Sequence, residues 1–330
     1  MRGSEALDGA DRMRTGARLA LYGLGLVLVF GGAFGIAGAV APAGTATAWV
    51  KGTEMNDHDQ GHSSASAAPA ATAADAVKGL ASASGGYLLS PVAAPSTVGA
   101  AGELSFRIQD ATGAAVTEYA SSHERDLHLI VVRADGSRFR HVHPELDGVS
   151  GTWSIPWEWA EAGSYRVFAD FTPAGAGAPA LTLTSTVHVT GQFGAVTPEP
   201  TRSDLIDGFT VSVDGELVAG SSSELTISIT RDGKPVTALE PYLGAFGHLV
   251  ALREGDLAFL HVHADGDDPR AGETAGPTIR FAAEAPTPGR YLLYLDFKVD
   301  GAVHTAEFVL DAAEGATSAG AGSTPHPAGH

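Results

Sequence analysis

The chain has 330 residues, 44% of them hydrophobic, and its 20 basic and 38 acidic side chains leave a net charge of −18 at neutral pH. That length supports more than one ordinary core, and the acidic excess argues against a nucleic-acid partner, because binding a phosphate backbone takes clustered Lys and Arg. Cys is absent, which excludes disulfides, thiolate metal sites, thiol catalysis and a lipid-anchored Cys, and the three Met all precede residue 56.

In chain order, residues 1–18 form an Arg-bearing cytoplasmic tail, with Arg2, Arg12, Arg14 and Arg18. Residues 19–43 follow as a transmembrane helix or signal anchor. Leu19 to Val40 carries no charge and is long enough to cross a hydrocarbon layer of about 30 Å. Only Lys51 follows closely, so the positive-inside bias leaves the N-terminus in the cytoplasm and the rest of the chain outside. The competing reading is a cleaved signal peptide and a secreted product, with small residues at Ala39-Val-Ala41 and Ala46-Thr-Ala48 as candidate cleavage sites. Residues 44–83, rich in Ala, Ser, Gly and Asp, read as a disordered linker, and residues 313–330 as a tail of the same kind. His58, His62, His326 and His330 in these segments read as solvated side chains.

Between them the chain repeats itself at an offset near 120 residues, too long for a solenoid unit and right for a duplicated domain. Gly86-Tyr-Leu-Leu-Ser matches Gly208-Phe-Thr-Val-Ser, Glu103-Leu-Ser-Phe-Arg-Ile matches Glu224-Leu-Thr-Ile-Ser-Ile, and Gly163-Ser-Tyr-Arg-Val-Phe-Ala-Asp-Phe matches Gly289-Arg-Tyr-Leu-Leu-Tyr-Leu-Asp-Phe. The two modules span 84–191 and 205–312, joined by a linker over 192–204 that contains Thr197-Pro-Glu-Pro-Thr201. Short alternating or apolar runs between Gly, Pro and Asp turn signals predict strands throughout. About seven strands per module fit an all-β chain of two tandem immunoglobulin-like antiparallel β-sandwiches, without the inter-sheet disulfide.

The strongest functional signal lies in one hairpin of each module. His128 precedes His141-Val-His143 by thirteen residues, and His248 precedes His261-Val-His263 by the same interval. Asp135-Gly136 and Gly255-Asp256 are turn dipeptides midway between them. A turn centred on Asp135-Gly136 opposes Val132 to Phe139, Ile130 to His141 and His128 to His143. The second opposes Leu252 to Phe259, Val250 to His261 and His248 to His263. Side chains alternate along a strand, so the three His of each hairpin fall on one face, close enough to converge on one ion. Imidazole suits Zn(II) and Cu(II), and an oxidising compartment favours Cu(II) of the two. The competing reading is a metal-free β-sandwich scaffold whose His are structural and whose partner is another envelope protein. No catalytic residue is assigned, because nucleophile elbow, phosphate-binding Gly loop and zinc-protease helix are all missing from the sequence. Asp170 and Asp296, which recur in the repeat, read as partners of neighbouring turns; Tyr165, Tyr291 and the Trp153, Trp157, Trp159 cluster read as core. His123 has no counterpart in the second module and reads as a loop residue beside the first hairpin.

These runs, above all Leu127-His-Leu-Ile-Val-Val-Arg, Phe139-Arg-His-Val-His-Pro144, Gly163-Ser-Tyr-Arg-Val-Phe-Ala-Asp-Phe and Tyr242-Leu-Gly-Ala-Phe-Gly-His-Leu-Val-Ala-Leu-Arg, resemble a class of uncharacterised actinobacterial membrane-anchored or secreted proteins. The resemblance covers 84–312 and implies an extracytoplasmic location and a duplicated module. Ala264 stands where the first module has Pro144, a departure that bears on whether the two hairpins are equivalent.

Overall fold

Alternation in the sequence becomes alternation of burial. In the Gly102–Gln109 strand Leu104, Phe106 and Ile108 point inward while their neighbours face out, and Phe209, Val211 and Val213 do the same in Phe209–Asp214. The computed structural model describes residues 77–315 apart from 267 and 271, and within it the side chains of His261 and His263 are not described. The N-terminal tail, the proposed membrane segment, most of the linker and the C-terminal tail with their four His lie outside the described residues. All those described belong to one compact unit, Pro69–His330. They contain no helix, and so none long and apolar enough to cross a membrane.

The first module comprises β1 (Ala83–Ser84), β2 (Tyr87–Leu89), β3 (Gly102–Gln109), β4 (Tyr119–Ala120), β5 (Leu127–Arg133), β6 (Arg140–Val142), β7 (Glu145–Asp147), β8 (Thr152–Trp157), β9 (Gly163–Pro173) and β10 (Leu181–Val189). One sheet runs β1-β2-β3-β8-β7 and the other β10-β9-β5-β6, with β4 added against β9. Their inner faces share a core that includes Leu104, Phe106, Leu129, Val131, Val167 and Leu183, into which Trp153, Trp157, Trp159 and Tyr165 are also packed.

The second module comprises β11 (Ser203–Ile206), β12 (Phe209–Asp214), β13 (Leu217–Val218), β14 (Ser222–Arg231), β15 (Lys234–Pro235), β16 (His248–Arg253), β17 (Phe259–Asp265), β18 (Thr278–Glu284), β19 (Gly289–Val299) and β20 (Ala302–Ala313). Here the two layers join into one path, β11-β12-β14-β18-β17-β16-β19-β20-β13, with β15 on β14. Tyr291, fully buried, sits in this core with Phe209, Ile227, Phe281, Leu293 and Phe308.

β5 and β16 do not alternate: every residue of β5 is buried. Leu127, Leu129 and Val131 fill the first module's own core, whereas Ile130 and Val132 join a third cluster with Phe168, Val250, Leu252, Leu292 and Tyr294. That cluster joins the modules face to face. Each large aliphatic buried there is worth about 1.5–3 kcal/mol. Phe139 stacks on Tyr294, ring centroids 4.0 Å apart and 4° from parallel, and the Tyr294 hydroxyl donates to the Gly136 carbonyl. A near-continuous apolar run is the signature of a strand covered on both sides, and here the second cover is the other repeat.

The expected hairpin register holds in the first module, where Leu129 opposes Val142, Ile130 opposes His141 and Val131 opposes Arg140. In the second it holds for Leu252 with Phe259 and Ala251 with Leu260, and then stops. From His261 onward β17 pairs with β18: His261 faces Glu284 and His263 faces Ala282. The expected pairs Val250–His261 and His248–His263 are therefore replaced, because the strand passes to the other layer of the sandwich.

Candidate metal centre

β5, β6 and the residue that follows β6 bring three imidazoles together. His128 is almost fully buried, and its Nδ1 lies 3.0 Å from His141 Nε2 and 3.2 Å from His143 Nε2. One ring nitrogen from each of the three lies within 4.8 Å of the others.

The remaining contacts fix which nitrogen carries a proton. His128 Nε2 is 3.0 Å from the Ser122 carbonyl oxygen, which only accepts, so Nε2 is the donor and Nδ1 keeps its lone pair. His141 Nδ1 donates across the module interface to Asp296 Oδ2 at 2.8 Å, which in the neutral ring leaves the lone pair on Nε2. Both groups are enclosed, each side chain 4% exposed, and Asp296 is steadied in turn by the Thr305 hydroxyl at 2.6 Å on Oδ1. Two lone pairs therefore face each other at 3.0 Å. With both rings neutral, a metal ion between them is one arrangement that satisfies both lone pairs.

A proton is disfavoured on His128 and on His143. Burial, ahead of repulsion from the neighbouring imidazoles, lowers the His128 pKa to about 4 and the His143 pKa to about 3, so these rings are neutral at physiological pH. A divalent ion fits better. Nitrogens about 2.0–2.1 Å from a tetrahedral metal stand about 3.3 Å apart, close to the 3.0 and 3.2 Å observed. An imidazole whose second nitrogen is held by a carboxylate or a carbonyl is the usual setting of a metal-bound His.

The second module's His248 is also brought here. Its Nε2 bonds the Tyr242 and Leu243 carbonyl oxygens at 3.0 Å, as its counterpart His128 bonds Ser122, and burial lowers its pKa to about 4. Its ring centroid is 6.3 Å from His141 and 6.5 Å from His128. The side chains of His261 and His263 lie outside the described residues. His123, exposed on a loop at φ 48°, stands 5.2 Å from His248 and 6.1 Å from His128. A cavity of about 170 Å³ beside His123 and His248 leads to Asp265 and Asp268.

Asp296 is the site residue that its sequence context hid. The sequence places it at a turn of its own module, yet it orients His141 of the other. A carboxylate 3% exposed, inside the apolar run Tyr291–Phe297 and directly opposite His248 across β16 and β19, was the available signal. Asp170, its counterpart opposite His128, accepts from Thr182 at 2.8 Å, and burial raises its pKa.

Residues 83–191 and 204–314 each match the profile of a domain of unknown function, DUF8832, and the chain belongs to that family as a tandem pair. No curated protein matches it. Among solved structures it is similar to the adhesin InvE of Yersinia pseudotuberculosis, at 12% identity and TM-score 0.20 over 68% of this chain and 58% of that one. Domains 5–6 of the S-layer protein SbsC match at 13% and 0.20 over 69% and 99%. A putative membrane-anchored protein of Corynebacterium diphtheriae matches at 10% and 0.20, over 68% and 58%.

Proposed function

We propose that the protein is a membrane-anchored, extracytoplasmic pair of immunoglobulin-like β-sandwiches that binds a divalent transition metal ion, Cu(II) or Zn(II), at the cell envelope through His128, His141 and His143. The reading is carried by one observation: three ring nitrogens meet, and His128 Nδ1 and His141 Nε2 are turned toward each other because their other nitrogens are held by Ser122 and Asp296. The anchor and the orientation rest on the charge asymmetry about Leu19–Val40.

The test is metal binding by the detergent-solubilised full chain with His58, His62, His326 and His330 replaced by Ala, so that tail His cannot contribute. Titration calorimetry should give a tight Zn(II) site that His128→Ala or His141→Ala weakens at least 100-fold. Val142→Ala, whose side chain packs toward the first module's core, should leave affinity within twofold. A wild-type chain that binds neither ion above background gives way to the scaffold reading, in which the same His are structural and the partner is an envelope protein.

A further inference from the structure

The three His of the first hairpin leave a tetrahedral ion one ligand short, and the second module already reaches the site through Asp296. We infer that His248 supplies the fourth ligand, so that a single ion bridges the two modules. The inference rests on the metal reading above and extends it from a site within one hairpin to a clamp between two domains.

Distances carry the argument. A metal about 2.0–2.1 Å from an imidazole nitrogen is about 3.2 Å from the ring centroid, so tetrahedral His ligands have centroids about 5.2 Å apart. Within the triad the separations are 5.2, 5.0 and 5.0 Å. His248 stands 6.3 Å from His141 and 6.5 Å from His128, about an ångström beyond that spacing, within what a side-chain adjustment covers. Its Nε2 is occupied by the Tyr242 and Leu243 carbonyls, which leaves Nδ1, the nitrogen that its counterpart His128 directs at the triad. Strand β16 fixes it in place, and the backbone pair His248–Asp296 couples it to the residue that orients His141. Among the described side chains His123 is the other imidazole nearby, but it is exposed on a loop and of the triad comes near His128. The adjoining cavity lies against His248 and carries Asp265 and Asp268 on its wall.

The experiment compares the full chain, free of tail His, with His248→Ala, His248→Gln and His123→Ala. Gln retains a donor for the Tyr242 carbonyl and guards against a variant that simply fails to fold. Cu(II) electron paramagnetic resonance should count four imidazole nitrogens in the parent and three in either His248 variant, at one ion per chain. Zn(II) affinity should fall 10- to 100-fold in both His248 variants and stay within twofold in His123→Ala. Equal affinity and an equal nitrogen count in the His248 variants overturn the bridge alone, as does the loss falling on His123→Ala instead. A second equivalent of Zn(II) that disappears on His261→Ala also overturns it, by showing that each module holds its own ion. A parent chain that binds no Zn(II) overturns the metal reading itself.

Discussion

In the first module β6 stays beside β5 through Val142, breaks, and resumes as β7 against β8 from Glu145; in the second, β17 leaves β16 after Leu260 and runs unbroken against β18 to Asp265. The residue at the break is Pro144, and at the equivalent place in the unbroken strand it is Ala264. Proline has no N–H for a ladder and restricts the residue before it, so the crossing between layers is split into two short strands in one module and made by a single strand in the other. His141 and His143 precede the crossing and keep to the β5 side. His261 and His263 follow it. A near copy of the motif is thus carried by a different strand pairing, and His248 is left facing the first module's triad.

The largest effect should come from exchanging that residue. Ala264→Pro puts a proline inside β17, one residue before its end, where Ala264 opposes Phe281, and should cost about 3 kcal/mol of stability in urea titrations of the full chain. Pro144→Ala fills a gap between strands and should change stability by no more than about 1 kcal/mol. Equal costs at the two positions would break the distinction between a split and a continuous strand.

Much of this was legible from residue pattern. The turn residues Asp135-Gly136 between the Leu127–Arg133 and Phe139–His143 runs give the register that places His141 opposite Ile130, and the 120-residue offset marks the two repeats. What the pattern could not reveal is contact between elements distant in sequence. Ile130, Val132, Val250 and Leu252 are apolar residues that share the hairpin faces with the His, but a single chain of letters does not say that they form a core between modules. Asp296 has the same difficulty, since its partner is 155 residues away. The crossing of β17 begins at His261, before Ala264, and depends on β18 being within reach, which residue pattern does not reveal.

The two hairpin turns offer a second, smaller contrast. Gly136, at φ 83°, lies against β19 so closely that an added Cβ would fall 2.3 Å from Leu292 Cδ1, while the same addition at Gly255, at φ 95°, meets nothing within 4 Å. Both substitutions by Ala carry the left-handed backbone cost of about 1–2 kcal/mol. Gly136→Ala should add the displacement of Leu292 and loss of the Tyr294–Gly136 hydrogen bond, for about 2–3 kcal/mol in all. Thermal melts should show Gly136→Ala well below Gly255→Ala; coincident melts would mean that docking of the first turn on β19 contributes little.

The smallest effect belongs to the acids in those turns, and it is read against pH. Asp135 is enclosed, and although burial opposes ionisation, hydrogen bonds from Arg133, the Val196 N–H and Ser137 outweigh it and hold the pKa near about 2. Asp256 has the matching Arg253 and the Ala258 N–H, but its side chain is 41% exposed and its pKa is lowered less far. Between the ordinary 3.8 and about 2 the unfolded chain binds the proton at Asp135 and the folded chain does not, so stability falls as pH drops through that window and is fully present above it. The contribution is about 2 kcal/mol at neutral pH. Asp135→Asn should therefore be less stable than the parent by about that amount at pH 6 and converge on it as the pH approaches 2, with Asp256→Asn showing a shallower version of the same curve. A gap that stays constant from pH 6 to pH 2 would assign the loss to packing of the turn and not to the ionised carboxylate.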